Sequence, residues 1–589
     1  MCGIFGYVGE RRALGDEVLG ALRTLEYRGY DSWGVALGVN GHINVEKRTG
    51  KIGGATTSLP PSDIGFGHTR WATHGGVTWE NAHPHLDCTG RLAVIHNGIV
   101  ENFRPLKAGL MAGGHQFRSE TDSEVLAHLI EAELTDHGRP LPHAVAAVFA
   151  RLQGLNAVIA LDVRSCELVA AKSVSPLVVG IGPTGAVIAS DALALRDHAD
   201  RVLYLEDHHL VRLHRDGVTL YDRRTMTELA PDFVPMPAAN GDAALGMYPH
   251  FMAKEMAEQP AVLERLVRDR VDQIDVLAAA IGEAYGTFLV GCGTASYAAL
   301  TGSYLFSRIA ARHVNFVVGS EFKYHEHFIT PRSLVVALSQ SGETADVIEA
   351  MLAARAAGAR LGAIVNAEHS SLDRMVDIRV HLSAGPEQCV LSTKAYTAKV
   401  ATLLLAAHTL NGTPERGREA VLRAAAAIAE MLSDGWVARV RAVAERIHTE
   451  DHLFVIGRGL AYPTALEAAL KIKEVSYIHA EGFAAGELKH GVIALVAPGT
   501  PCVVYAPNDE TRADILSGAM ELRSRGGYII GIGPEDDPVF DVHLPTADAG
   551  DAAPIVNALP AQMLGYHAAL YRGNDPDKPR NLAKSVTVK

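Results

Sequence analysis

Two textures of hydrophobic patterning divide the chain. From residue 2 to about 225, short apolar runs are punctuated by glycines: Ile4–Val8, Trp33–Leu37, Ile64–Phe66, Leu92–His96 and Ala157–Leu161. Apolar runs of this length bounded by turn residues predict strands. Glu17–Leu25 and Ser123–Leu134 instead space their apolar residues at three and four, which predicts amphipathic helices. Strands interrupted by a few helices predict an α+β layered domain over residues 2–229. Residues 230–247 carry Pro231, Pro235 and Pro237 without any periodic pattern, and a linker is expected there.

Beyond the linker, apolar strands alternate with Ala- and Leu-rich helices, the pattern of an α/β parallel sheet. That pattern occurs twice. Phe288-Leu-Val-Gly-Cys-Gly-Thr-Ala-Ser-Tyr297 aligns with Phe454-Val-Ile-Gly-Arg-Gly-Leu-Ala-Tyr462, and Leu334-Val-Val-Ala-Leu-Ser-Gln-Ser-Gly-Glu-Thr344 with Cys502-Val-Val-Tyr-Ala-Pro-Asn-Asp-Glu-Thr511. Two copies of one α/β domain are expected at residues 248–430 and 431–573, leaving 574–589 as a tail. In doubly wound sheets ligands sit beyond the carboxyl ends of strands, here Gly291–Ser296 and Ser339–Thr344.

Size and composition agree with several soluble domains. A chain of 589 residues exceeds a single core. No stretch approaches the roughly 20 uncharged apolar residues of a membrane helix. The beginning of the chain lacks a basic leader and a small-residue cleavage site, so export is not expected. Six cysteines lie far apart with no C-x-x-C pair, which argues against a disulfide scaffold or zinc ribbon and for a reducing cytoplasm. Net charge is −13 without a basic block, which argues against a nucleic-acid partner.

The candidate chemistry begins at the amino terminus. Cys2 follows Met1, and its small side chain predicts methionine removal, leaving a free α-amine beside the thiol. An α-amine with an unperturbed pKa of about 7.7–8.0 suits the role of base. Taken alone, Cys2 also reads as a small buried residue. Arg70 offers a planar fork for a carboxylate. Asn97 and the Gly98 N–H end a strand where a tetrahedral oxyanion could form. Asp122 reads either as a helix N-cap or as an anchor for a substrate ammonium. His83 and His85 lack an acidic or thiolate companion at ligand spacing, so no metal is expected there.

Cys2-Gly-Ile-Phe-Gly6, Tyr27-Arg-Gly-Tyr-Asp-Ser32, Arg70-Trp-Ala-Thr-His-Gly75, Asn81-Ala-His-Pro-His85, His96-Asn-Gly-Ile-Val100 and Glu120-Thr-Asp122, in this order, resemble the class II glutamine amidotransferases. The resemblance implies an N-terminal-nucleophile hydrolase fold, an αββα sandwich in which Cys2 forms a glutamyl thioester. It further implies Asn97 and Gly98 as the oxyanion hole, and Arg70, Thr73, His74, Gly75 and Asp122 as the residues that hold glutamine. Trp33 departs from the small residue usual at its position.

In the second half, Ser339-Gln-Ser-Gly-Glu-Thr344 places hydroxyls and an amide between a strand and a helix start, where free N–H groups favour phosphate. An ordinary polar cap is the alternative. With Gly291-Cys-Gly-Thr294 and Val390-Leu-Ser-Thr-Lys-Ala395 it resembles the sugar-isomerase domain. By that resemblance Ser339, Gln340, Ser341 and Thr344 hold a phosphate, while Thr294, Val390 and Ser392 contact the sugar. Ala295 replaces the family's serine, and Ser296 follows one residue later. Lys471 and Glu474 lie three apart on one predicted helical face, as a surface ion pair would. Glu487, Lys489 and His490 follow on a Gly-bounded segment, and general acid–base groups are what ketose isomerisation needs.

These segments, with the tail Lys578-Pro-Arg-Asn-Leu-Ala-Lys-Ser-Val-Thr-Val588, resemble the glutamine–fructose-6-phosphate aminotransferase family over nearly the whole chain. The resemblance implies conversion of fructose 6-phosphate and glutamine to glucosamine 6-phosphate and glutamate, with ammonia passed internally. It implies Glu474 as the C1/C2 proton shuttle, His490 as ring opener, Lys584 as Schiff-base lysine and Lys471 as assisting base. Trp71 becomes a channel gate and residues 580–585 a lid. The partners implied are small molecules and a second copy of the chain in a homodimer, without a cofactor. Lys589 replaces the usual terminal Glu, a silent change. Two other readings stay open: a paralogue that aminates a different ketose phosphate, and a non-catalytic phosphosugar-binding regulator. A purine-pathway amidotransferase would require a pyrophosphate loop that is absent.

Overall fold

The computed structural model describes residues 2–236 and 244–587. The middle of the expected linker and Lys589 lie outside these residues. The chain divides into two compact units, Met1–Ala239 with Ala583–Lys589, and Asn240–Leu582.

The first unit is built on two antiparallel sheets. In one of eight strands, Gly3–Arg12 is flanked by Gly185–Ala189 and Ser62–Arg70, with Ser32–Val39 beyond the latter. In the other, of seven strands, Leu92–Gly98 pairs with Asn156–Asp162, and Glu167–Ser173 follows. Strand side chains alternate between faces. Ile4 and Val8 therefore join Phe66, Ile95 and Ile159 in the core between the sheets, while Phe5 and Tyr7 face outward against the helix Leu14–Thr24. On the far side, Glu124–Thr135 and Leu141–Phe149 cover Val94, Val158 and Val169. The layers run helix, sheet, sheet, helix.

Two local outcomes differ from expectation. Val234 and Pro235, within the expected linker, pair with Val202 and Arg201 as an edge strand, a position that tolerates proline because one side of the ladder is unpaired. Trp33 is fully buried in the outer core beside Val35 and Leu22, with the Arg48 guanidinium 5.5 Å from its ring centre. Arg28 is held separately by Asp191 at 2.7 Å.

The second unit contains the repeat. Its two five-stranded parallel sheets have the same order: Asn315–Val318, Gly286–Gly291, Ser333–Ser339, Arg360–Val365, Ile378–His381; and His479–Ala484, His452–Gly457, Pro501–Tyr505, Tyr528–Gly533, Val542–Pro545. Counted along the chain this is 2-1-3-4-5, with the switch point beside the first strand of each copy. One continuous core joins the copies, with Leu289, Val336 and Leu403 on one side and Val455, Ile472 and Leu564 on the other.

Phe66 is fully buried between the two sheets of the first unit. Phe66→Ala is expected to cost about 3–5 kcal/mol, read as a lower denaturant midpoint for that unit. Met111→Ala, at an exposed site, is expected to leave the midpoint unchanged.

Candidate active sites

Cys2 sits just before the strand Gly3–Arg12, and that strand fixes its position. Gly3 N–H donates to Thr69 Oγ1 at 2.9 Å, and a side chain at Gly3 would put its Cβ only 2.6 Å from that oxygen. The Cys2 thiol receives the Trp71 N–H at 3.2 Å, while the Cys2 carbonyl accepts from Asn97 Nδ2 at 2.9 Å. Burial pushes the thiol's pKa up, and the amino terminus, the Trp71 N–H and Arg70 oppose it.

A cavity opens at the thiol and is lined by Arg70, Trp71, Thr73, His74, Gly98 and Asp122, among others. Most of the residues assigned to glutamine thus converge on Cys2. Their bonds are more specific than the sequence foretold. Arg70 directs its fork at the carbonyls of His74, Gly75 and Gly76, at 2.6, 3.1 and 3.0 Å, and so shapes the loop that carries Thr73 and His74. Asp122 is no N-cap: its Oδ2 accepts the Val100 N–H at 2.7 Å, and its Oδ1 lies 3.8 Å from His74 Nδ1. Gly98 has φ +130° and a Cβ there would fall 1.9 Å from the Leu155 carbonyl oxygen, so only glycine fits. Trp71 meets Tyr30 edge-on, ring centres 5.8 Å apart.

His83, weighed from the sequence only as a metal ligand, also lines this cavity, as do His96, Ser123 and Thr587, to which sequence reasoning assigned no role. His96 is fixed between Ser123 Oγ at 2.8 Å and Asn156 Oδ1 at 2.9 Å. Burial lowers the pKa values of His83 and His96. Thr587 belongs to the tail segment grouped with this unit, as does Lys584.

In the second unit, Ser339–Thr344 leads from the strand Ser333–Ser339 into the helix Ala345–Ala356. Ser339 Oγ accepts the Gly342 N–H at 2.9 Å, and Ser341 Oγ accepts the Glu343 N–H at 3.2 Å. Gly342 has φ +66° and a Cβ there would meet Ser370 Oγ at 2.0 Å. The loop is therefore tightly curled at the helix start, with Gln340 and Thr344 half-buried beside it. Val390 is buried, and the Ser392 hydroxyl is buried without a hydrogen-bond partner among the described residues. Ser296, the displaced serine, donates its hydroxyl to the Gly293 carbonyl at 2.7 Å and so serves its own turn.

A buried charge cluster spans the two copies. Thr294 Oγ1 donates to Glu467 Oε1 at 3.2 Å. On the helix Ala461–Ser476, Lys471 Nζ lies 2.6 Å from Glu474 and 3.7 Å from Glu467. Lys471 is not the surface partner that its spacing suggests, being 1% exposed. Although burial works against its charge, Glu474 and Glu467 raise its pKa. Glu467 was missed, though it stands at i, i+4 and i+7 with Lys471 and Glu474, one helical face. His490 ends the exposed turn Ala485–His490, and no hydrogen bond or ion pair joins it to this cluster among the described residues.

Comparisons with known proteins agree with this division. Residues 68–197 match the glutamine amidotransferase domain family, and residues 283–409 and 446–572 each match the SIS domain family. The chain is 42% identical to the glutamine–fructose-6-phosphate aminotransferase (isomerizing) of Thermus thermophilus and 40% identical to those of Pyrococcus horikoshii and Caulobacter vibrioides, with all of each chain covered. The chain belongs to the glutamine–fructose-6-phosphate aminotransferase family. A solved structure, the C-terminal domain of glucosamine-fructose-6-phosphate aminotransferase from Francisella tularensis, matches 57% of this chain and 100% of its own at TM-score 0.54 and 31% identity. Within the glutamine–fructose-6-phosphate aminotransferase family the repeated α/β copies are thus SIS domains. No helix among the described residues is long and apolar enough to cross a membrane.

The charge cluster has a measurable consequence. Burial raises the Glu467 carboxyl from 4.5 to about 8, against the pull of Lys471. A carboxyl raised on folding contributes stability that is complete below its unfolded pKa and is lost as pH rises through the folded value. Thermal midpoints of the wild type are therefore expected to fall relative to Glu467→Gln between about pH 5 and pH 8. A pH-independent difference between the two proteins would contradict this.

Proposed function

We infer that this chain transfers the amide nitrogen of glutamine to fructose 6-phosphate, yielding glucosamine 6-phosphate and glutamate. The observation that carries this reading is full-length membership of the family together with a cavity built around Cys2. The helix–sheet–sheet–helix layering supports an N-terminal-nucleophile hydrolase fold for the first unit. In that reading Cys2 attacks the glutamine amide, its own α-amine takes the thiol proton, and a thioester forms as ammonia leaves. Asn97 and Gly98 serve the oxyanion, and both stand at the end of the strand that meets Cys2. Thr73, His74 and Gly75 hold glutamine on the loop that Arg70 shapes, and Asp122 receives its ammonium.

For the sugar, the curled loop at Ser339–Thr344 supports phosphate binding by Ser339, Gln340, Ser341 and Thr344. Thr294, Val390 and Ser392 then contact the sugar. We assign Glu474 the proton transfer between C1 and C2, His490 ring opening, and Lys584 the imine. Lys471, held charged chiefly by the Glu474 carboxylate at 2.6 Å, positions that carboxylate better than it would act as a free base. Trp71, whose N–H contacts the Cys2 sulfur, is proposed as the gate through which ammonia leaves the thioester. Six free cysteines support a reducing cytoplasm as the place of reaction, and a homodimer is proposed from family membership.

Incubation with glutamine and fructose 6-phosphate, followed by mass spectrometry, is expected to reveal an amino sugar phosphate. Cys2→Ala is expected to lose glutamine-dependent synthesis by a factor of about 10³ or more while keeping synthesis from added ammonia. Amination of another ketose phosphate in preference to fructose 6-phosphate would overturn the substrate assignment, and loss of both nitrogen sources would overturn the role of Cys2.

A further inference from the structure

A second constellation in the first unit has no part in the chemistry above. Cys88 follows the strand His85–Leu86, His115 follows the helix Phe103–Ala112, and His128 and Glu131 lie one turn apart on the helix Glu124–Thr135. Their ligand atoms all fall within 4.8 Å of one another. We propose that Cys88, His115, His128 and Glu131 form a structural binding site for one divalent zinc-class cation.

The geometry fits such an ion. Cys88 Sγ lies 3.7 Å from His115 Nδ1 and 3.5 Å from His128 Nδ1. Glu131 Oε2 lies 2.9 Å from His115 Nδ1 and 3.1 Å from His128 Nδ1. A tetrahedral zinc with sulfur at about 2.3 Å and nitrogen or oxygen at about 2.0 Å separates its ligands by roughly 3.3–3.6 Å. The sulfur–nitrogen distances already match, and the nitrogen–oxygen distances need to open by only a few tenths of an ångström, as expected when a metal replaces a shared proton. One thiolate, two imidazoles and a carboxylate form a donor set that selects zinc over magnesium or calcium.

The surroundings are those of a supported site. His128 and Glu131 are 1% and 5% exposed, whereas Cys88 is exposed and gives the ion a way in. The outer nitrogen of His128 faces Glu124 Oε1 at 3.7 Å, and Glu124 is itself fixed by the N–H groups of Arg118 and Ser119 at 2.7 Å each. At 3.7 Å Glu124 stands beyond hydrogen-bond reach of that nitrogen, on the side from which a carboxylate orients a ligating imidazole. The Gln116 N–H donates to Cys88 Sγ at 3.5 Å, and the Cys88 N–H donates to Glu131 Oε2 at 3.2 Å. Binding would displace the Cys88 thiol proton and any proton on the two ligating imidazole nitrogens, so affinity should fall in acid.

The site also has something to hold. The chain between His115 and His128 includes Thr121, Asp122 and Ser123, which line the Cys2 cavity. A bound ion would pin both ends of that segment. The ligands are far apart in sequence, with only His128-x-x-Glu131 within one helix, so a search for closely spaced pairs does not find them.

Metal-stripped full-length protein would be titrated with zinc against a chromophoric chelator, and with cobalt(II) while thiolate-to-metal charge-transfer absorption is followed. Wild type and Cys2→Ala are expected to bind one equivalent and to show the cobalt band. Cys88→Ser, a small change at an exposed position, is expected to lose the band and to bind zinc at least about tenfold more weakly. Zinc should raise the thermal midpoint of the wild type and not that of Cys88→Ser. Equal zinc affinity in wild type and Cys88→Ser, or a cobalt band that disappears in Cys2→Ala and survives in Cys88→Ser, would overturn the proposal and leave a hydrogen-bonded cluster.

Discussion

The first unit depends on how residue 2 is tied to both of its sheets. The Cys2 sulfur takes the N–H of Trp71, at the end of Ser62–Arg70 in one sheet, while the Cys2 carbonyl takes the amide of Asn97, on Leu92–Gly98 in the other. One residue thereby spans the seam of the sandwich. Its neighbour cannot shift, because Gly3 is packed against Thr69 with no room for a side chain. The Cys2 thiol thus stands at the start of a paired strand, and the loop 71–76 brings polar groups to it.

The second unit solves a different problem, that of keeping charge inside a core shared by two repeated domains. Lys471 is buried between Glu467 and Glu474, and Thr294 of the first copy reaches Glu467 of the second. Removing one partner of a buried charge group is costly because the remainder is left uncompensated. The cluster therefore couples the packing of the two copies to the position of Glu474. It lies on a helix that also contributes Ile472 and Val475 to the common core.

Much of this was legible in the sequence where local pattern and chemistry coincide. The apolar run Ile4–Val8 placed a strand, whose two faces emerged with the structure, and the repeated Phe288 and Phe454 segments became the first strands of two identically ordered sheets. Motifs brought Cys2, Arg70, His74 and Asp122 to one cavity. Hydrogen-bond targets were not legible, because they depend on distant backbone: Arg70 turns to loop carbonyls, and Asp122 holds Val100 instead of capping a helix. Glu467 escaped notice although it shares a helical face with Lys471 and Glu474; its burial and its bond from Thr294 of the other copy emerge only with the fold. Val234 and Pro235 looked like linker because a two-residue edge strand carries no period.

The proposed glutaminase chemistry requires the Cys2 sulfur as nucleophile and a free amine on the same residue. Both are read at once by treating the purified protein with an electrophilic glutamine analogue and mapping the adduct by peptide mass spectrometry. A single adduct on the sulfur of an amino-terminal Cys2, prevented by excess glutamine, is expected. An adduct on Cys88 or another thiol, or full glutaminase activity in a chain that still carries Met1, would contradict it.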